Sequence, residues 1–409
     1  MNLEGSKIQK IVDAAFWLAM GCIVTRWIIL IFYAIIHPQP AVGDEVHFLN
    51  YLQILHGNGI VDSLSKSVAI NYTMLAIPFS LVLDGLVSLR LVNLILLSFF
   101  IYYLYKKDFP YSKYVILLAL FYTGKVGIFN VGINDALFAT SFAVILIEFI
   151  YMIKNGKAEY PGLLVFSAAL SLTTRPLVII YFPLLLLVIW GICKFKICRE
   201  VKLVTIIISC LVLLLHVPSL VFNQSPCWDN KTTDSELTWA QRQYLAQIEA
   251  NKGLRPEGTH PSWEELRLYI EHNGANSLPK TFVESIYFDW GMTVYEFFKD
   301  LYFSFKGLLL QTGALAFIFF YGLFKKTVWR DKALLFSFLP LIYALLVFSF
   351  IIISNVEWRW YAPVVLLLIT SIGALLSIEM FEKASIIKLS LSCSIMFLSA
   401  IGIYNLLSS

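Results

Sequence analysis

The sequence predicts an all-α polytopic membrane protein of about eleven transmembrane helices. Two extracytoplasmic loops carry interfacial or short helices. Three observations lead there. Hydrophobic residues make up 59% and charged residues 14% of the 409 positions, against about 45–50% and 25% in soluble chains. Apolar runs of the length needed to cross about 30 Å of hydrocarbon recur throughout, and the mean hydropathy is +0.75. Lysine and arginine collect in alternate loops, as membrane topology requires. Soluble, disordered, collagen-like and disulfide-scaffold classes are excluded. A net charge of +4, spread over short loops, leaves no footprint for nucleic acid.

The first apolar run spans 14–36 behind Lys7 and Lys10, with no small-residue cleavage site at its end, and reads as a retained signal anchor. The next run, 68–83, is short and interrupted by Pro78. Spans are then expected at 86–105, 114–132, 136–153, 160–174, 177–193 and 203–222, followed by 302–324, 333–353, 362–380 and 386–407. Treating 68–83 as interfacial or re-entrant puts seventeen cations in the loops on the N-terminal side, among them Lys106, Lys107, Lys194 and Lys326. The short opposite loops then hold Lys66, Lys125, Arg175 and Arg359. Counting 68–83 as a span would invert this distribution, so charge decides against it.

A cytoplasmic N-terminus follows, with two long loops, 37–85 and 223–301, on the exterior face. The organisation is an N-terminal transmembrane module (1–222) bearing the first outer loop, an extracytoplasmic helical loop (223–301) and a C-terminal transmembrane module (302–409). Within the second loop, 236–249 and 262–272 read as helices; Ser262 and Glu265 open the latter as a capping box. Cys227 alone lies in that loop, so no disulfide closes it.

Three constellations could carry chemistry. Gly43-Asp44-Glu45-Val46-His47 places adjacent carboxylates just past the first span, where desolvation is costly unless a cation, substrate or proton is bound. The plainer reading is a solvated turn that caps a helix. Asp135 ends the Gly- and Asn-rich stretch 127–135 on the same face, and is either a site carboxylate or an N-terminal cap. Asn355-Val-Glu357-Trp-Arg359-Trp-Tyr361-Ala-Pro363 sets Glu357 and Arg359 among aromatics; a belt with a snorkelling arginine is the alternative. Arg90, Arg175, Lys66 and Lys125 add cations near the same boundary, suited to a phosphate. The sequence has no HExxH, CxxC, DxD or GxSxG pattern, so no metal ligands and no cofactor are expected.

The order of these features resembles the GT-C superfamily of integral-membrane glycosyltransferases over roughly residues 10–380. The resemblance rests on Asp44 and Glu45 after the first span, then Arg90-Leu-Val-Asn93, Asp135, Thr174-Arg175-Pro176, and the ExRxYxxP-like stretch from Glu357 to Pro363. That last stretch reads Glu-Trp-Arg-Trp-Tyr, which displaces its tyrosine by one and leaves the role of Tyr361 open. The resemblance implies an inverting, metal-independent enzyme. It would take a polyprenyl-phosphate-linked sugar and glycosylate a glycan or glycolipid acceptor of the cell envelope, such as a lipopolysaccharide. Asp44 would then be the base, with Glu45 as helper. Lys66, Arg90, Lys125, Asp135, Arg175, Glu357, Arg359 and Tyr361 would bind substrate and lipid phosphate. Its setting would be a bacterial inner membrane, with the site facing the periplasm or exterior. Two other readings stay open: an O-antigen-type polymerase or ligase, and a lipid-linked-glycan flippase or transporter. Against the latter, no mid-span Gly/Pro breaks recur in two matching halves.

Overall fold

The chain is an all-helical polytopic membrane protein. A computed structural model describes every residue except 1–2, 66–67, 225, 229–236, 352–355 and 409. No strand occurs among the described residues. In chain order the helices are α1 (Leu3–Ile31), extended by a π-helical turn (Phe32–Ile36), α2 (Asp44–Ser65), α3 (Ile70–Ser80), α4 (Gly85–Lys106), α5 (Ser112–Val126) and α6 (Asp135–Asn155). They continue with α7 (Pro161–Thr174), α8 (Phe182–Lys194), α9 (Leu203–Leu214), α10 (Val217–Asn223), α11 (Trp239–Asn251), α12 (Trp263–Asn273) and α13 (Phe282–Phe288). The remainder are α14 (Trp290–Thr312), α15 (Ala314–Leu323), α16 (Lys326–Arg330), α17 (Lys332–Phe350), α18 (Ala362–Ile378) and α19 (Phe381–Ser408).

Seven helical segments among the described residues are long and apolar enough to cross a membrane, and α14 with α15 makes an eighth if a bent pair counts as one. The expected spans 160–174 and 177–193 fall on α7 and α8, which are apolar but only 14 and 13 residues long. The expected span 114–132 stops early: α5 ends at Val126 because Gly127 takes a left-handed φ of 75°. In the expected span 302–324 the helix breaks at Gly313 (φ 58°), and the axis turns by 118°. The run 68–83 becomes the eleven-residue α3, hairpinned on α4.

Two compact units divide the chain: Met1–Asp229 with Leu308–Leu341 and Arg359–Ser409, and Asn230–Gly307 with Ile342–Trp358. In the first unit α6 and α18 are the central helices, each 83% buried over its apolar window, whereas the α9–α10 segment is 17% buried. A helix apolar on every side belongs in the interior. Small hydroxyls let α7 approach α6, with Ser171 donating to Ser141 at 2.8 Å. At the opposite end from Asp44, Lys107 is buried against Glu148 (2.8 Å) and Glu159 (2.9 Å), over the Tyr151 ring, and the Tyr103 hydroxyl donates to Glu148. Lys107, expected to be a loop cation, is thus part of a closed ionic clasp joining α4, α6 and the start of α7.

The second unit has an apolar core of Leu237, Tyr244, Leu245, Leu266 and Leu278. Both α11 and α12 open with complete capping boxes, Thr238 with Gln241 and Ser262 with Glu265. Arg242 packs against both the Trp239 and Trp263 rings and donates to the Pro261 carbonyl at 2.6 Å. Along α14 the polar Thr293, Glu296, Asp300 and Ser304 are buried, while Trp290, Val294, Phe298 and Tyr302 are exposed. The four-residue spacing puts these sets on opposite faces, the arrangement of a helix whose outward side meets lipid.

Candidate functional site

The site is built from helix ends in the first unit. Asp44 is the first residue of α2, reached through Gly43 at a left-handed φ of 58°, and Asp135 is the first residue of α6. Arg175 follows the last residue of α7, and Arg359 lies in the 3-10 turn Trp358–Tyr361 that leads into α18. Carboxylates at helix N-termini and a cation at a C-terminus are where the helix macrodipole favours them.

Arg359 joins the two carboxylates. Its Nη2 donates to Asp44 Oδ2 at 2.6 Å and its Nη1 to Asp135 Oδ2 at 3.2 Å. Arg175 pairs with the other oxygen of Asp135. Asp135 is nearly enclosed, with a side-chain exposure of 3%, while Asp44, Arg175 and Arg359 keep 16–18%. Two acids and two guanidiniums cancel formally, so the cluster can be desolvated without a net charge. Its partly open members are the two arginines and Asp44, which are the groups able to meet an anion and an acidic proton.

Buried amides hold the irregular backbone around these residues. Asn93 Nδ2 donates to the carbonyls of Ile128 (3.2 Å), Val131 (2.5 Å) and Ile133 (2.9 Å), which fixes the stretch before Asp135. Asn134 donates to Thr174 O at 3.0 Å, tying the base of α6 to the residue before Arg175. Asn71 reaches the Thr173 hydroxyl at 2.6 Å, and the Tyr181 hydroxyl donates to Trp360 O at 2.6 Å beside Arg359. The sequence reading named Asn93 within the Arg90-Leu-Val-Asn93 stretch but gave none of these four side chains a supporting role. A lone Asn within an apolar run was the available signal, because such an amide needs partners.

Of the residues expected from sequence, Asp44, Asp135, Arg175 and Arg359 come together. Glu45 and Arg90 are instead given to each other: Arg90 Nε and Nη2 donate to Glu45 Oε1 and Oε2 at 2.9 and 2.8 Å, and the Gly132 amide donates to Oε1. Glu45 is 1% and Arg90 4% exposed, so this pair is closed off inside the fold. Lys125 stands in the last turn of α5 and enters no ion pair with the cluster. Tyr361 is buried as the residue that precedes α18. Glu357 belongs to the second unit, and Lys66 lies outside the described residues.

No group of three or more His, Cys, Asp or Glu side chains among the described residues is arranged to hold a metal ion. Comparison with protein-family models, with characterised proteins and with solved structures found no match to this chain.

Proposed function

We propose that the chain is an inverting glycosyltransferase of GT-C type with about eleven spans, acting on the exterior face of a bacterial inner membrane. The observation that supports it most is the bridge from Arg359 to both Asp44 and Asp135, with Arg175 on the far side of Asp135. The donor is a sugar linked through its anomeric carbon to a polyprenyl phosphate, and the acceptor is a hydroxyl of an envelope glycan or glycolipid. The lipid phosphate draws on the guanidinium donors of Arg359 and Arg175, whose forked geometry suits phosphate oxygens. As Arg359 turns toward the phosphate, the Asp44 oxygen that its Nη2 now holds accepts from the acceptor hydroxyl instead. The acceptor oxygen attacks the anomeric carbon, its proton passes to Asp44, and the bond from that carbon to the phosphate oxygen breaks. The electron pair leaves with polyprenyl phosphate, whose charge the two arginines offset. A single displacement inverts the anomeric centre. Asp135 holds both guanidiniums in register.

The test uses the full chain in lipid nanodiscs with a panel of polyprenyl-phosphate monosaccharides and isolated envelope glycolipids, scoring release of polyprenyl phosphate. Asp44→Asn is expected to lower turnover by about 10²–10⁴-fold while the protein stays folded, the usual loss for a general base. Arg359→Ala is expected to raise the donor KM more than Arg359→Lys, because lysine keeps the charge and loses the fork. Wild-type turnover in Asp44→Asn would end this reading.

A further inference from the structure

Two carboxylates lie buried on the inward face of α14. Glu296 and Asp300 stand one turn apart and are 1% and 7% exposed. Their surroundings differ. Glu296 receives Asn251 Nδ2 on Oε1 at 2.5 Å and Gln247 Nε2 on Oε2 at 2.9 Å, both from α11. Lys299 stands 3.5 Å from Glu296 Oε2, but closer to Glu257 (2.7 Å) and to Asn251 Oδ1 (3.1 Å). Asp300 has no such company: its Oδ2 is buried with no hydrogen-bond partner among the described residues.

Among the described residues the charged groups that act on Asp300 are Glu296, Lys299 and Glu257. Three acids thus share one ammonium, which Glu257 and Glu296 already hold. The other elements packed on α14 bring no cation to it. The stretch 342–350, seated through Phe350 against Phe297 at 4.3 Å, has Tyr343 as its one titratable residue. On α13, which accepts from the Thr293 hydroxyl through Ile286 O, Glu284 is turned to the Lys280 amide at the start of its own helix. Asp289 is likewise engaged with the Met292 amide. Ionised, Asp300 would be an enclosed charge one turn from another carboxylate, with no donor to solvate it. A carboxylic acid so placed keeps its proton.

We propose that Asp300 carries a proton at neutral pH and that its loss unlatches α14 from α11, a pH switch built into the second unit. While Asp300 is neutral, the two helices close through the amides of Gln247 and Asn251 on Glu296. Deprotonation sets two like charges on one enclosed face, and parting of α14 from α11 lets water reach them. The open form holds the proton less tightly than the closed form, so rising pH favours opening. The switch shares no residue with the Asp44 cluster and does not rest on glycosyl transfer.

Hydrogen exchange of the 239–251 amides tests it, on the full chain in lipid nanodiscs from about pH 5 to about pH 9, with rates corrected for intrinsic exchange. Opening of α11 in the wild type is expected to rise with pH by up to about tenfold per unit, the limit for one proton. Asp300→Asn has the same shape and no acidic proton, so it should show no rise and should open less than the wild type at the alkaline end. Infrared spectra of the wild type at neutral pH should contain a protonated-carboxyl band that is lost at the alkaline end and is absent from Asp300→Asn. A pH-independent wild type, an equal rise in Asp300→Asn, or a missing acid band overturns the switch. An Asp300→Asn protein that does not fold, or that opens more readily than the wild type at the alkaline end, overturns it too, since the site would then need the charge.

Discussion

Glu45 shows how adjacent carboxylates divide their work. Asp44 keeps an oxygen near the surface on Arg359, while Glu45, one residue on, turns inward to Arg90 and the Gly132 amide. A buried ion pair of this kind adds little stability over an apolar pair of the same volume, yet removing one partner leaves the other charge stranded. Glu45→Ala is therefore expected to lose about 3–5 kcal/mol of stability, because the Arg90 guanidinium then has no carboxylate. Glu45→Met with Arg90→Met should lose much less than the sum of the single variants, since no buried charge survives. Thermal unfolding of the wild type, Glu45→Met, Arg90→Met and the double variant measures this, and additive losses would show that the two side chains act separately. The same geometry explains why sequence alone did not separate the roles of the two acids. Both were legible as membrane-boundary carboxylates, whereas the partners that separate them lie far off in sequence: Arg359 is 315 residues from Asp44, and Arg90 and Gly132 are 45 and 87 residues from Glu45.

Helices were legible wherever an apolar run coincided with continuous backbone, and less so where backbone and hydropathy parted. Ile128, Phe129 and Ile133 are buried and apolar, so they lengthen the run that begins in α5. The left-handed Gly127 ends the helix regardless, and Asn93 takes up the carbonyls that follow. The break at Gly313 was hidden in the same way. Capping signals read more directly: the box opening α12 was expected from Ser262 and Glu265, and the structure contains it. The Glu265 carboxyl is held below its ordinary value of 4.5, first by the Ser262 amide, then by the Ser262 hydroxyl, with a smaller part from Arg255. A carboxylate depressed in the folded state adds stability that is present above its unfolded pKa and is lost as pH falls through the folded one. Acidification below about 4.5 should thus fray the start of α12, while Glu265→Gln, which can still accept from the Ser262 amide, should show no such pH dependence. Hydrogen exchange of the amides of 263–266, corrected for intrinsic rates, reports it; the same pH dependence in Glu265→Gln would assign it to another group.

At the scale of the whole molecule, the distribution of cations carries the orientation. A transmembrane chain is sorted by Lys and Arg in its short loops rather than by net charge, and here the excess is only +4. Some of the counted cations serve packing: Lys107 is spent on Glu148 and Glu159, and Lys325 on Glu379 at 2.8 Å. On the proposed eleven-span topology, setting these two aside still leaves Lys106, Lys113, Lys154, Lys157, Lys194, Lys196, Arg199, Lys202, Lys326 and Arg330 on one side, so the proposed bias does not depend on them. Proposed sidedness therefore puts Gly258, in the turn between α11 and α12, on the exterior face and Lys326, at the start of α16, in the cytoplasm. Cys22, Cys193, Cys198, Cys210, Cys227 and Cys393 are the native cysteines, unpaired among themselves, and replacing them by serine or alanine gives a silent background. Single cysteines at Gly258 and Lys326 are then exposed to a membrane-impermeant maleimide in intact cells and again after permeabilisation. The expected outcome is labelling of Gly258→Cys in both conditions and of Lys326→Cys only after permeabilisation. The opposite pattern would turn the Asp44–Arg359 cluster toward the cytoplasm, where a donor carried by a soluble nucleotide would replace the lipid-linked one.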